Sequence, residues 1–388
     1  MSVDPNVLTP RVAGLALKEH DALPAGTRFG EFEIIRALGV GGFGIVYLAQ
    51  DHSLERQVAL KEYMPAALAS RGSGPMIAVR ASSFAETYAM GLRSFINEAR
   101  LLARFDHPSL VKVYRFWEDN GTAYMVMPYL QGRTLRDARR ALAQAPDEAW
   151  IRAVLDPMLD ALELLHREGV FHRDVAPDNI LLPPEGPPIL LDFGAARRVI
   201  SDRNDNLTAI IKPSYAPIEQ YAEMATMRQG PWTDLYALGA VLHFLVFGSP
   251  PAPATARVVE AEVEPIAGRA VPGISPQFMR VMAWMLGVRP LERPQNVGAV
   301  RAALAGRIEP PEAVRHETTR PMVAQAVPSP FDATTFDAAY APTLVAGRPT
   351  PASELPASPE TARGLATGAA QLPLGAESGG GGAPMRST

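Results

Sequence analysis

The spacing of apolar positions changes once along this chain, and the change divides it in two. Between Phe29 and Ala49, β-favouring runs flank a glycine cluster, as the two arms of a hairpin would. Gln57 to Lys61 reads as another strand. Ser83 to Phe105 has helical spacing, with Phe95, Ala99, Leu102 and Phe105 on one face and Asn97, Arg100 and Arg104 pointing elsewhere. Two more strands are predicted around Leu110 to Trp117 and Ala123 to Met127. Beyond Gly132 helical patterns dominate, over Asp147 to Arg167, Thr233 to Phe247, Pro276 to Leu286 and Gln295 to Ala305. The expected fold is α+β, with a small β-rich lobe followed by a larger helical lobe.

Both ends differ from this pattern. Residues 1–28 are weakly patterned and read as a leader that packs on the first lobe. From Gly306 onward Pro, Ala, Gly, Ser and Thr take over, apolar side chains thin out, and the stretch closes on Gly379 to Gly382. Such a composition cannot offset its ordering entropy, so 307–388 is expected to be a disordered tail. The folded part is then 29–306, with lobes at 29–130 and 131–306.

Composition narrows the function. The 388 residues are 47% apolar, enough for a sizeable core. A net charge of -4, with no long Lys/Arg run, argues against nucleic acid as a partner. The absence of cysteine excludes disulfides and thiolate zinc sites, and the seven histidines are scattered. The first residues lack the basic-then-apolar order of a signal peptide, and the most apolar run, Leu235 to Gly248, is too short to span a bilayer. No membrane span and a cytoplasmic location are therefore expected. Only four lysines occur, at 18, 61, 112 and 212, against thirty-three arginines, so each lysine calls for a reason.

The candidate chemistry begins at Gly39-Val40-Gly41-Gly42-Phe43-Gly44, a G-x-G-x-x-G spacing followed by Val46. Dinucleotide-binding turns share this spacing but lead into a helix, whereas Ile45 to Ala49 favours a strand. A glycine hairpin can lay its backbone N–H groups over phosphates; by itself it also reads as a flexible surface turn. Lys61 ends the next apolar strand, where an amine needs an anion. Glu98 faces inward on the predicted helix and needs a cation just as much. A Lys61–Glu98 pair answers both needs, either as a plain internal salt bridge or as a device that aims the lysine at phosphate oxygens. The densest stretch is His172-Arg173-Asp174-Val175-Ala176-Pro177-Asp178-Asn179, followed thirteen residues later by Asp192-Phe193-Gly194.

Taken together, and in this order, these motifs resemble the eukaryotic-type protein kinase superfamily in its bacterial serine/threonine branch, over about Phe29 to Gly306. The resemblance implies a bilobal kinase fold and ATP-dependent phosphorylation of the protein itself and of protein substrates in bacterial signalling. It implies ATP as cofactor with Mg²⁺, or Mn²⁺ in its place. By resemblance Asp174 accepts or orients the substrate hydroxyl proton, Asn179 and Asp192 hold the metal, and Lys61, paired with Glu98, binds the α/β-phosphates. Val46, Ala59 and Leu181 would enclose adenine, with Met127 as gatekeeper and Tyr129 and Leu130 in the hinge, while Leu102, His172 and Phe193 would stack to align the lobes. Glu219 would pair with Arg293, and Asp234 would tie down the catalytic-loop backbone.

Two departures stand out. The motif that usually ends the activation segment appears as Pro217-Ile218-Glu219. The lysine expected two residues after the catalytic aspartate is Ala176. Aligning back from Glu219 puts Lys212 where relatives carry a threonine that bonds the catalytic aspartate and the missing lysine, so Lys212 is the candidate to replace that lysine. Arg173 beside Asp174 suggests an activation loop ordered by phosphate, with Thr208 and Ser201 as candidate acceptors. Thr334, Thr335 and Thr343 in the tail would be reachable for autophosphorylation and for a phosphothreonine-reading partner. The alternative is a pseudokinase scaffold that keeps the fold and presents its tail to partners.

Overall fold

The computed structural model describes residues 21–72, 74–193, 212–221, 227–259 and 266–311. They all belong to the first of two units into which the chain divides, Met1–Arg320, while the second, Pro321–Thr388, lies wholly outside the described residues. Most of the expected leader and tail, including Thr334, Thr335 and Thr343, falls outside them too, as do Gly194, Ser201 and Thr208.

The first lobe is a six-stranded antiparallel sheet with one long helix. Its strands are β1 (Arg28–Phe29), β2 (Phe32–Val40), β3 (Gly44–Asp51), β4 (Arg56–Tyr63), β7 (Arg115–Asp119) and β8 (Thr122–Pro128), ordered β1-β2-β3-β4-β8-β7. A short hairpin, β5 (Ala69–Arg71) with β6 (Ile77–Val79), and the helix α1 (Ala85–Leu102) lie between β4 and β7 in sequence. Alternation sorts the side chains. Ile45, Tyr47 and Ala49 of β3 are buried on one face, whereas Val46 sits directly across from Lys61 of β4 and shares the other face with it. Ala59, two residues before Lys61, joins that face and lies opposite Met127 of β8. The sheet thus places Val46, Ala59, Lys61 and Met127 side by side.

Gly44 is required here by close packing of backbone. A Cβ at this position would collide with the carbonyl oxygen of Glu62, whereas one on Gly42 would meet nothing within 4 Å. Gly44→Ala is therefore expected to destabilise the protein by about 1–3 kcal/mol, and Gly42→Ala to leave its melting temperature nearly unchanged. Thermal unfolding of the two variants checks this.

The run at 110–117 behaves differently from the expected strand. Pairing with β8 starts only at Arg115. Upstream, Leu110 forms a parallel bridge to Leu190, and the Val111 N–H donates to the Leu190 carbonyl at 3.1 Å. The buried run Leu110, Val111 and Val113 therefore joins the first lobe to the second. Its hydrophobicity reports burial, not membership of the main sheet. The β5–β6 hairpin is likewise absent from the pattern, since three-residue strands are too short to show a period. It carries Arg71 to the buried Glu62 at 2.5 Å, and Glu62 also accepts from the Tyr47 hydroxyl at 2.7 Å.

The second lobe is helical: α2 (Leu135–Ala141), α3 (Glu148–Arg167), α4 (Pro231–Phe247), α5 (Ala254–Val259), α6 (Pro276–Met285) and α7 (Val297–Leu304). A small sheet of β9 (Arg133–Thr134), β10 (Ile180–Leu182) and β11 (Ile189–Leu190) runs in the order β11-β10-β9. Helix α3 starts where Asp147 accepts the Trp150 N–H at 2.9 Å, and buries Ile151, Leu155, Met158, Leu162 and Leu165 in the lobe core. Helix α4 is the apolar run picked out in the sequence; it is buried on nearly every side and stops at Gly248, whose φ of 77° suits glycine. Among the described residues, no helix is long and apolar enough to cross a membrane.

Candidate active site

The loop from His172 to Asn179 joins α3 to β10, and its backbone is held from below. Asp234, in the first turn of α4, is fully buried and accepts the N–H groups of His172 at 2.9 Å and Arg173 at 2.6 Å, along with His166 Nε2 at 2.8 Å. Burial by itself would raise the Asp234 carboxyl, yet the hydrogen bond and charge of His166, with the backbone donors, hold it below the usual range. His172 donates from Nε2 to the Leu191 carbonyl at 2.8 Å, accepts the Asp174 N–H on Nδ1 at 3.3 Å, and packs on Phe193 at 4.5 Å between ring centroids. Full burial lowers its pKa, which favours the neutral imidazole that can accept at Nδ1. Leu102 is buried in the core of the molecule.

Two clusters of charge result. In the first, Asp174 Oδ2 accepts from Asn179 Nδ2 at 2.6 Å, the same nitrogen donates to the Asp174 carbonyl at 2.8 Å, and Lys212 Nζ stands 3.6 Å from Asp174 Oδ1. In the second, Lys61 Nζ lies 2.7 Å from Asp192 Oδ1 and 3.9 Å from Glu98 Oε1. The ammonium thus sits between two carboxylates and is nearer to Asp192 than to the Glu98 expected as its partner. Asp192 has a φ of 34°, in the left-handed region, and its side chain is 42% exposed against 3% for Glu98. Asp174 and Asp192 both act electrostatically on His172, so the two clusters share one neighbourhood.

Above them, Gly39 lies opposite Val46 and Val40 opposite Ile45, and the Gly41 N–H closes the turn on the Gly44 carbonyl at 2.9 Å, leaving Gly42 and Phe43 at the tip. That tip is fastened to the chain after Lys61: Met64 N–H donates to the Phe43 carbonyl at 3.1 Å and Ala66 N–H to the Gly42 carbonyl at 3.0 Å. Met127 is buried near the end of β8, and half-buried Tyr129 and Leu130 lead out of the sheet. Leu181 is buried on β10, paired with Thr134 and Ile189.

Glu219 and Arg293 form a fully buried pair with contacts of 2.7 and 3.1 Å. The Thr233 hydroxyl donates to Glu219 at 2.9 Å, and Arg293 also donates to the carbonyls of Gly287 and Val288. Glu219→Ala would leave a buried guanidinium without its counter-ion, and a loss of about 3–5 kcal/mol is expected in urea unfolding.

Three neighbours of the site were not visible in the sequence. Gln220 donates from Nε2 to the Arg173 carbonyl at 2.9 Å, Thr233 supports Glu219, and Arg136 of α2 pairs with Asp178 at 2.5 Å. For Gln220 and Thr233 the available signal was position, next to Glu219 and Asp234; Arg136 sits in a charged stretch that reads as a solvated surface.

The model of the protein kinase domain matches residues 32–304. The chain belongs to the protein kinase domain family. This chain is 32% identical over 291 residues to the DNA damage-responsive serine/threonine-protein kinase RqkA of Deinococcus radiodurans, covering 70% of this chain and 38% of that one. It is 31% identical over 297 residues to the serine/threonine-protein kinase PknB of Mycobacterium leprae, covering 73% and 44%. It therefore spans less than half the length of these two relatives. Among solved structures, the PpkA-294 apo form is similar with a TM-score of 0.68 and 48% identity, over 73% of this chain and 99% of that one. The two-lobed fold with its β-rich first lobe is thus a protein kinase fold, and the family in general uses ATP with a divalent metal on protein substrates.

Proposed function

We propose that this chain is a protein serine/threonine kinase that transfers the γ-phosphoryl group of ATP to hydroxyls of itself and of other proteins. The observation that carries the reading is the Asp174–Asn179–Lys212 cluster standing beside the Lys61–Glu98–Asp192 cluster. Phosphoryl transfer needs positioning and neutralisation of charge more than covalent chemistry. As the hydroxyl oxygen bonds to phosphorus and the bond to ADP breaks, Asp174 accepts the proton, with Asn179 fixing its carboxylate. Lys61, flanked by Asp192 and Glu98, is aimed at the α/β-phosphates, and the glycine turn closes over them. Lys212 brings to Asp174 the positive charge that Ala176 does not supply. Asp192 and Asn179 would hold Mg²⁺ or Mn²⁺, since such hard ions take one or two carboxylates along with substrate phosphates; the ion would offset phosphate charge. Val46, Ala59, Met127, Tyr129, Leu130 and Leu181 would enclose the adenine.

In this reading 29–306 is the catalytic domain, Thr208 and Ser201 are acceptors whose phosphate would meet Arg173, and 307–388 is a tail whose threonines could dock a phosphothreonine-reading domain. Use of ATP fits a cytoplasmic setting. Intact acids at 174 and 192 weigh against an inactive scaffold. Incubating the purified chain with Mg²⁺ and ATP tests the proposal: phosphoserine or phosphothreonine on the chain and on an added protein is expected. ATP binding with no incorporation into either would overturn it.

A further inference from the structure

We propose that Gln220 is a positioning residue for Asp174, setting the orientation of the peptide that carries the catalytic carboxylate. The inference rests on the role just given to Asp174. Arg173 has a φ of 67°, a left-handed conformation that non-glycine residues adopt at a cost, so the peptide planes on both sides of it must be held by their surroundings. The plane before Arg173 is held by Asp234, which accepts the Arg173 N–H at 2.6 Å. The plane after it joins Arg173 to Asp174 and is gripped at both edges. Its N–H donates to His172 Nδ1 at 3.3 Å, and its carbonyl accepts from Gln220 Nε2 at 2.9 Å.

The His172 contact comes from the same loop and can move with it. Gln220 is anchored elsewhere: it follows Glu219, which is paired with the buried Arg293. The next residue extends the frame. The Tyr221 hydroxyl donates to the Pro213 carbonyl at 3.0 Å, and the Tyr215 and Ala216 N–H groups close a turn on the Lys212 carbonyl at 2.9 and 3.0 Å. Two consecutive side chains thus brace the two groups that meet at 3.6 Å, with Gln220 holding the Asp174 peptide and Tyr221 the Lys212 turn. A small rotation of the Arg173–Asp174 plane would swing the carboxylate away from both Asn179 and Lys212. Transfer rates are sensitive to displacements of that size.

The test compares Gln220→Met, which keeps the volume and loses the donor, with Gln220→Glu, in the full chain. In Gln220→Met, kcat is expected to fall about 5- to 30-fold with KM for ATP within about twofold, because among the described residues the Gln220 side chain donates to the Arg173 carbonyl and not to a residue proposed to hold the nucleotide. In Gln220→Glu at about pH 8 the ionised carboxylate of this half-buried side chain faces the Arg173 carbonyl oxygen and kcat falls at least as far; as the pH falls toward about 5 the carboxyl, raised by the oxygen it faces, regains a proton it can donate, and the variant-to-wild-type kcat ratio rises several-fold. Asp234, His172 and His166 are common to all three proteins, so the ratio removes their titration. The ratio for Gln220→Met stays flat with pH. A kcat for Gln220→Met within twofold of wild type, or a flat ratio for Gln220→Glu, overturns the proposal; if the methionine variant does not fold, the glutamate ratio decides. Asp174→Asn measured in parallel separates the two levels. Retained activity there overturns the role of Asp174 and this inference together, whereas its loss leaves the Gln220 results to bear on the inference alone.

Discussion

Asp192→Ala is expected to lower turnover about 10³-fold or more, at saturating ATP, with the melting temperature unchanged. Two features set the size of this effect. The Asp192 carboxylate is the most exposed acid of the site, at 42%, so it is the donor best placed to meet an ion arriving with nucleotide phosphates. It is also the nearer partner of Lys61, at 2.7 Å against 3.9 Å for Glu98, so its loss lets the ammonium shift toward Glu98 and away from the position in which it is proposed to meet phosphate. Little change in stability is expected, because the carboxylate removed is 42% exposed and Glu98 remains 3.9 Å from the ammonium. Steady-state phosphorylation of an added protein, with thermal unfolding as control, checks both halves. Near-normal turnover in Asp192→Ala would be incompatible with the role proposed for it.

The second large effect concerns the lysine missing at position 176. Lys212→Ala is expected to reduce turnover about 10²- to 10³-fold, as for loss of one preorganised charge-stabilising donor. Lys212 Nζ stands 3.6 Å from Asp174 Oδ1, its side chain is 22% exposed, and its charge also acts on the buried Asp178. Burial raises the Asp178 carboxyl, and Lys212 together with Arg136 pulls it back toward ionisation. A lysine that only attracted acidic substrates would point into solvent, and its removal would raise KM for acidic proteins while sparing kcat. Assaying Lys212→Ala on a substrate of neutral charge separates these outcomes. Activity within about twofold of wild type would end the compensating role. Combining Ala176→Lys with Lys212→Thr, which moves the amine back onto the catalytic loop, should recover part of the lost rate.

The kinase fold could be read from the sequence because its signals are local. A short apolar run put Gln57 to Lys61 on a strand, 3.6-residue spacing put Ser83 to Phe105 on a helix, and a continuous apolar run marked α4. Where the reading went astray, burial and secondary structure had separated. Leu110 to Val113 is as apolar as a strand but crosses between lobes, β5 and β6 are too short to display a period, and α2 has four charged residues among seven. The site shows the same division. Motifs named Lys61, Asp174, Asn179 and Asp192, but no spacing reveals that Lys61 sits closer to Asp192, 131 residues away, than to Glu98. Lys212 came from register with relatives, and the geometry that places it at Asp174 depends on the turn at 212–216. Gln220 carries no motif; the role proposed for it follows from the Arg173 carbonyl it reaches.

The most direct test of the catalytic site is a paired measurement on wild type and Asp174→Asn, with nucleotide affinity and phosphoryl transfer determined on the same preparations. Asparagine keeps the shape of the side chain but cannot take the hydroxyl proton. Affinity should therefore stay nearly constant while transfer falls about 10²- to 10⁴-fold. Equal transfer by the two proteins, or wild-type protein that binds ATP and phosphorylates nothing, would contradict a catalytic site built on Asp174.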